Sequence, residues 1–195
     1  TGRAYIFYND GSIPTTAGTA DVTLTGEATS DSYGTALAVG DLNADGKSDL
    51  LVGATGYSSS KGRAYIYTMN DGVITGASTN NRLGWALAAA DLNADGRSDL
   101  IVGADGAPGD DTGKTYIFYN DGNIPTTASS ADITITGNAA DDQFGYSFAL
   151  GDFDSSGTID LAVGAPVYSS VTGRVYIFYN DGSIPTTAAT ADITI

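Results

Sequence analysis

Three stretches of this chain place oxygen-bearing side chains at regular offsets. In Asp41-Leu42-Asn43-Ala44-Asp45-Gly46-Lys47-Ser48-Asp49 they stand at the first, third, fifth and ninth positions. Alternation of this kind lets a sharply turning loop aim several oxygens at one point, while the seventh residue, Lys47, offers its backbone carbonyl. Gly46 permits the turn. The pattern returns as Asp91, Asn93, Asp95, Arg97 (by its carbonyl) and Asp99. It returns again as Asp152, Asp154, Ser156, Thr158 (by its carbonyl) and Asp160. Calcium suits such a cage, because it accepts six to eight oxygens at roughly 2.3–2.6 Å in flexible geometry, whereas magnesium prefers a tighter octahedron and keeps its waters. One Ca2+ per loop is therefore expected. The third loop departs from the others: Ser156, directly ahead of Gly157, replaces an Asp, while Asp154 replaces an Asn and restores the charge.

Asp- and Asn-rich turns held by their own side-chain hydrogen bonds are the competing reading. Three copies at one point of a repeat argue against it, as does the mutual repulsion of carboxylates crowded into one loop without a cation. The helix-flanked calcium loop with a bidentate Glu at its twelfth position does not fit, since here an Asp at the ninth leads into an apolar strand. Dockerin-like loops, which also precede helices, fail for the same reason.

The elements that position these loops repeat with them. Gly2 to Gly11 (GRAYIFYNDG) returns at Gly62 to Gly72, Gly113 to Gly122 and Gly173 to Gly182. Asp41 to Ala54 (DLNADGKSDLLVGA) returns at Asp91 to Ala104 and Asp152 to Ala165. A period of about fifty to sixty residues is close to that of a propeller blade. Each unit reads as four strands. An apolar run follows Tyr33-Gly34, Leu83-Gly84 or Phe144-Gly145; Leu50 to Ala54 and its copies follow the acidic loop; then come the aromatic run at Ala64 to Tyr67 and its copies, and an alternating ADVTLTG-type strand. Asn-Asp-Gly between the third and fourth strands is expected to make a tight hairpin. Trp85, in a first-strand pattern, is expected in the core rather than on a sugar-stacking surface. The fold is all-β, a β-propeller of four-stranded antiparallel blades: a half blade at 1–26 holding third and fourth strands, then complete blades at 27–79, 80–138 and 139–195.

Composition narrows the function. The chain has 195 residues, no Cys, no His and a formal charge of −15, with Glu27 its only glutamate. Without His or Cys the usual proton shuttle and thiol nucleophile are missing. An acidic surface of this size repels nucleic acid and anionic lipid and attracts divalent cations. No apolar run is long enough for a membrane-spanning helix, so membrane insertion is not expected. Asp105, Asp110, Asp111, Asp141 and Asp142 are carboxylates outside the loops, read as solvated loop charge rather than as an acid and base pair. No enzymatic activity is expected.

The order aromatic-Gly, acidic loop, Gly-Ala-Pro, Gly-x-x-Tyr resembles the FG-GAP repeat of integrin α-subunits and of many bacterial surface and secreted proteins. Phe144-Gly145 with Gly164-Ala165-Pro166 is the fullest match; the other copies read Tyr33-Gly34 with Gly53-Ala54-Thr55 and Leu83-Gly84 with Gly103-Ala104-Asp105. The resemblance implies a propeller with calcium in the loops joining first and second strands, and an extracellular or cell-surface location. It leads us to expect a non-catalytic binding or adhesion module with a protein or carbohydrate ligand. The alternatives are a structural subunit of a surface layer or filament, and a lectin or ancillary domain of a polysaccharide-active enzyme. Three and a half blades fall short of the about four to eight of a closed propeller. Further blades in a longer chain, or self-association, are expected to close it.

Overall fold

The computed structural model describes residues 1–68, 71–106 and 112–195. Strands β1 (Arg3–Ile6) and β2 (Val22–Thr25) pair as a two-stranded antiparallel sheet. The first complete blade is β3 (Tyr33–Gly40), β4 (Asp49–Ala54), β5 (Arg63–Tyr67) and β6 (Gly72–Thr75), antiparallel in chain order. The second is β7 (Leu87–Ala90), β8 (Asp99–Ala104), β9 (Lys114–Phe118) and β10 (Ile133–Thr136). The third is β11 (Ser147–Gly151), β12 (Asp160–Ala165), β13 (Arg174–Phe178) and β14 (Ile193–Thr194). The chain is thus all-β, with three complete blades and a half blade.

Register carries the acidic loops to equivalent places. Gly40 faces Asp49, Ala90 faces Asp99 and Gly151 faces Asp160, so each loop closes the hairpin between the first two strands of its blade. Period-2 alternation in β3 leaves one side of that strand more exposed, whereas every residue of β8 is buried. A second strand flanked by neighbours in its own sheet and covered on both faces reads as a continuous apolar run.

The apolar cores lie between blades rather than inside them, as they must when each unit is a single sheet. One cluster joins Leu51, Ile66 and Ile74 of the first blade to Leu100, Val102 and Phe118 of the second. Another joins Ile101, Ile117 and Ile135 of the second to Leu161, Tyr176 and Phe178 of the third. A smaller one packs Ala4 of the half blade against Tyr33, Val52 and Tyr65 of the first blade. The approach is close enough to need glycine: a Cβ on Gly53 would stand 2.0 Å from the carbonyl oxygen of Gly84, and one on Gly103 2.1 Å from that of Gly145.

Two expectations need correction. Asn-Asp-Gly does not generally make a tight hairpin. β1 ends at Ile6 and β2 begins at Val22, with a 3-10 turn at Ala17–Thr19 between them, and equivalent turns at Ala128–Ser130 and Ala188–Thr190 precede β10 and β14. Only β5 to β6 has a short connection, and part of it lies outside the described residues. The inserted Ser/Asn-Ile-Pro-Thr-Thr segment crosses to the neighbouring blade, where Thr127 bridges Thr75 and Thr187 bridges Thr136. Nor is Trp85 a core residue of a first strand. It sits in a bend ahead of β7, half-buried, with Arg82 4.5 Å over its ring and Tyr146 of the next blade 5.4 Å away.

Candidate metal-binding loops

Each loop is built by its own oxygens before any ligand is considered. The first Asp accepts two backbone N–H groups: Asp41 Oδ1 from Asp45 (3.1 Å) and Oδ2 from Gly46 (2.9 Å). Asp91 does the same with Asp95 and Gly96, and Asp152 with Ser156 and Gly157. The third residue adds an oxygen to the fifth N–H: Asn43 Oδ1 to Asp45, Asn93 Oδ1 to Asp95, Asp154 Oδ1 to Ser156. The sixth-position glycines are left-handed, with φ of 82° at Gly46 and 89° at Gly96 and Gly157. The fourth residue is left-handed too, although it is Ala44, Ala94 and Ser155. A Cβ there costs about 1–2 kcal/mol, which the surrounding hydrogen bonds must offset.

The ninth residue differs in kind. Asp49, Asp99 and Asp160 are buried, and each accepts the backbone N–H of the loop's second residue at 2.7–2.8 Å, from Leu42, Leu92 and Phe153. In Asp49 and Asp99 the same Oδ2 also accepts the third residue's N–H, so lone-pair capacity for a cation remains on Oδ1, which in Asp99 and Asp160 takes a single backbone N–H. Burial pushes the Asp99 carboxyl above the usual range against the lowering effect of its backbone donors, with the nearby Asp95 adding to the rise. Asp154 is held below that range, first by the Ser156 hydroxyl and then by the Ser156 N–H.

Among the described residues, the loop carboxylates that converge as a triad are those of the third loop. Carboxylate oxygens of Asp152, Asp154 and Asp160 lie within 4.8 Å of one another. Two ligands on one calcium ion stand at most about 5 Å apart, twice the oxygen–calcium distance, so this triad fits the ion. In the first two loops Asn43 and Asn93 occupy the third position, and Asn43 Nδ2 lies 3.5 Å from Asp49 Oδ1. Ser156 Oγ and Thr158 Oγ1 are 2.7 Å apart, and the Thr158 hydroxyl donates to the Asn180 carbonyl. The carbonyls of Lys47, Arg97 and Thr158 follow the left-handed glycine in each loop.

Sequence reasoning missed Asn120 and Asn180, the Asn of the Asn-Asp-Gly turn in the second and third blades. Asn120 N donates to Asp99 Oδ1, and Asn180 N to Asp160 Oδ1, both at 2.8 Å. Their side-chain amides reach the preceding blade's loop: Asn120 Nδ2 donates to the Leu42 carbonyl and Asn180 Nδ2 to the Leu92 carbonyl. The signal was present as an Asn repeated beside a Gly, and it was read only as turn chemistry.

Among the carboxylates outside the loops, Asp105 and Asp142 are buried rather than solvated. Asp105 pairs with Arg82 at 2.5 Å, and burial raises the pKa of Asp142. Asp142 stands two residues ahead of Phe144-Gly145, where Asp31 and Asn81 hold the same place ahead of Tyr33-Gly34 and Leu83-Gly84; all three are buried, which marks a structural position. Asp141 is exposed. Asp110 and Asp111 lie outside the described residues.

Against known families, a model of the FG-GAP repeat matches three segments, residues 33–67, 83–118 and 144–178. Each match begins at an aromatic- or Leu-Gly pair, spans one acidic loop and ends in the third strand of a blade.

Proposed function

Since this chain belongs to the FG-GAP repeat family, whose repeats are propeller blades, we propose that it is a calcium-stabilised, non-catalytic binding module of the cell surface or extracellular space. FG-GAP repeats are typical of extracellular or surface proteins, and no helix among the described residues is long and apolar enough to cross a membrane. The observation that carries the calcium reading is the convergence of Asp152, Asp154 and Asp160 in a loop whose backbone design recurs in the other two. Calcium would supply the positive charge that lets these carboxylates share one point, and extracellular modules bind it with dissociation constants of roughly 10⁻⁴ to 10⁻³ M.

Asp41, Asn43, Asp45, Asp49 and the Lys47 carbonyl would hold the first ion, Asp91, Asn93, Asp95, Asp99 and the Arg97 carbonyl the second, and Asp152, Asp154, Ser156, Asp160 and the Thr158 carbonyl the third. On this reading the end of the blade stack that carries the loops is the face offered to a protein or carbohydrate ligand. A groove of about 670 Å3 opens beside the first loop, with Asn43, Asp71, Arg97, Asn120 and Asn123 on its walls. The exposed side chains among these, Asn43, Asp71 and Asn123, support ligand recognition there, while Asn120 is buried.

A second reading, association into a closed ring or filament, is supported by the outward face of the third blade. A Cβ on Gly62 or Gly113 would meet the next blade's backbone at 2.2 Å, while Gly173 at the same place meets only Pro166 of its own blade. We propose that a further blade, or a second copy, covers this face. Calorimetric titration with Ca2+ tests the first reading: three sites lost on Asp-to-Ala change in each loop support it, and absence of heat with unchanged melting in chelator sinks it. Glycan and protein arrays then separate ligand classes, polysaccharide turnover would revive an enzymatic role, and light scattering decides association.

A further inference from the structure

The three acidic loops are not isolated from one another, although each belongs to a different sheet. Asn120 is 2% exposed and makes four hydrogen bonds, three of which divide between two loops. Its N–H donates to Asp99 Oδ1 of the second loop, and its Nδ2 donates to the Leu42 carbonyl of the first and, at 3.1 Å, to the Ser98 carbonyl of the second. Its Oδ1 accepts the Gly122 N–H and fixes the amide's orientation. Asn180 repeats the arrangement one blade later, from Asp160 Oδ1 and the Ile159 carbonyl to the Leu92 carbonyl. A further bond joins the first pair, since Ser98 N donates to the carbonyl of Asp41 at 3.2 Å.

These contacts fall on the parts of each loop that calcium would have to organise. Leu42 and Leu92 are the second residues of their loops. Their N–H groups bind the ninth-position Asp, their side chains enter the inter-blade core, and their carbonyls take the next blade's Asn. A continuous buried path therefore runs from Leu42 through Asn120 to Asp99, then from Leu92 through Asn180 to Asp160. Ordering either end of a hydrogen-bonded path reduces what the other end must lose on binding.

We propose that Asn120 and Asn180 are positioning residues that couple the calcium loops, so that filling one loop raises the affinity of the next. This inference rests on the calcium reading above. The coupling is strongest between the first and second loops, which Asn120 and the Ser98–Asp41 bond both join.

The test uses the full chain and Ca2+ alone. Asp154→Ala disables the third loop and leaves the first two; adding Asp45→Ala leaves only the second. Coupling energies between sites commonly correspond to about 5- to 150-fold in affinity. The second loop is expected to bind calcium at least about fivefold more tightly in Asp154→Ala than in the doubly substituted chain, with a Hill coefficient above one in the former. Adding Asn120→Ala to Asp154→Ala should lower the Hill coefficient toward one while two sites still fill, and an unchanged coefficient would overturn the role of Asn120. If Asn120→Ala fails to fold, the comparison of the other two variants still decides. Equal affinity for the second loop in both, with a Hill coefficient of one in Asp154→Ala, overturns the coupling but leaves calcium binding intact. Absence of calcium binding in the unaltered chain overturns both.

Discussion

The second and third loops share one backbone design and differ in what stands behind them. In the second, Leu92 is 4% exposed, locked between blades and clasped by Asn180. In the third, the equivalent Phe153 is 44% exposed, although the carboxylates of that loop converge as a triad. Ligand convergence and mechanical support are thus separable properties. The first follows from the residues within nine positions; the second depends on an adjoining blade.

The largest expected effect empties all three loops at once. A site held at about 100 times its dissociation constant gains about 2.7 kcal/mol from its ligand. Chelation should therefore lower the melting temperature by several degrees per emptied loop, given about 2–4 °C per kcal/mol for a domain this size. Calorimetry with and without chelator reads it.

Next in size is support. Leu92→Ala should destabilise the chain by about 2–5 kcal/mol, the range for emptying a buried Leu position. Phe153→Ala should cost about 0.5 kcal/mol or less, as at other exposed sites. Denaturant unfolding of the pair checks the contrast, and equal losses would mean that the third loop's outer face is covered in solution.

Glycine gives a third contrast. Gly103→Ala forces a methyl onto the Gly145 carbonyl, while the nearest atom at Gly164 is the Ser147 hydroxyl, which can rotate away. Overpacking costs about 1–3 kcal/mol where backbone must move, so Gly103→Ala should shift the unfolding midpoint and Gly164→Ala should barely do so. The smallest expected change is a gain: Ala94→Gly at φ 58° relieves a left-handed Cβ and should stabilise by roughly 1 kcal/mol or less.

Proton linkage separates empty from filled loops. Burial raises the folded pKa of Asp99 above its unfolded value, so without calcium its contribution to stability is present at low pH and lost as pH rises through the folded pKa. A bound cation favours the carboxylate and reverses that slope. Melting curves from acid to neutral pH, with and without Ca2+, should therefore diverge as pH rises.

Much of this was legible because it is local. The four-strand units follow from alternation and apolar runs, and the loops from oxygens at fixed offsets with a glycine at the sixth place. What escaped depends on neighbours in space. Trp85 matched a strand pattern, yet Gly84 and Trp85 both donate to the Gly103 carbonyl, and this bend delays β7 to Leu87. Asn120 looked like turn chemistry because its second partner, Leu42, lies 78 positions away. Asp105 and Asp142 looked like solvent-facing charge because burial is set by packing that a list of residues does not contain. Asn120 kept its turn role and gained a second one from a contact between blades, whereas the readings of Trp85, Asp105 and Asp142 were overturned by packing and contacts that include partners within their own blades.

The apolar clusters that span adjacent sheets also decide how the molecule comes apart. No blade owns a core, so the loss of one blade strips half the cover from its neighbour. Stability in such arrays is approximately a sum over nearest-neighbour interfaces. Strand β8, buried at every residue and flanked by a blade on each side, should be the last to open, and its amides should set the upper limit of hydrogen-exchange protection in the whole chain.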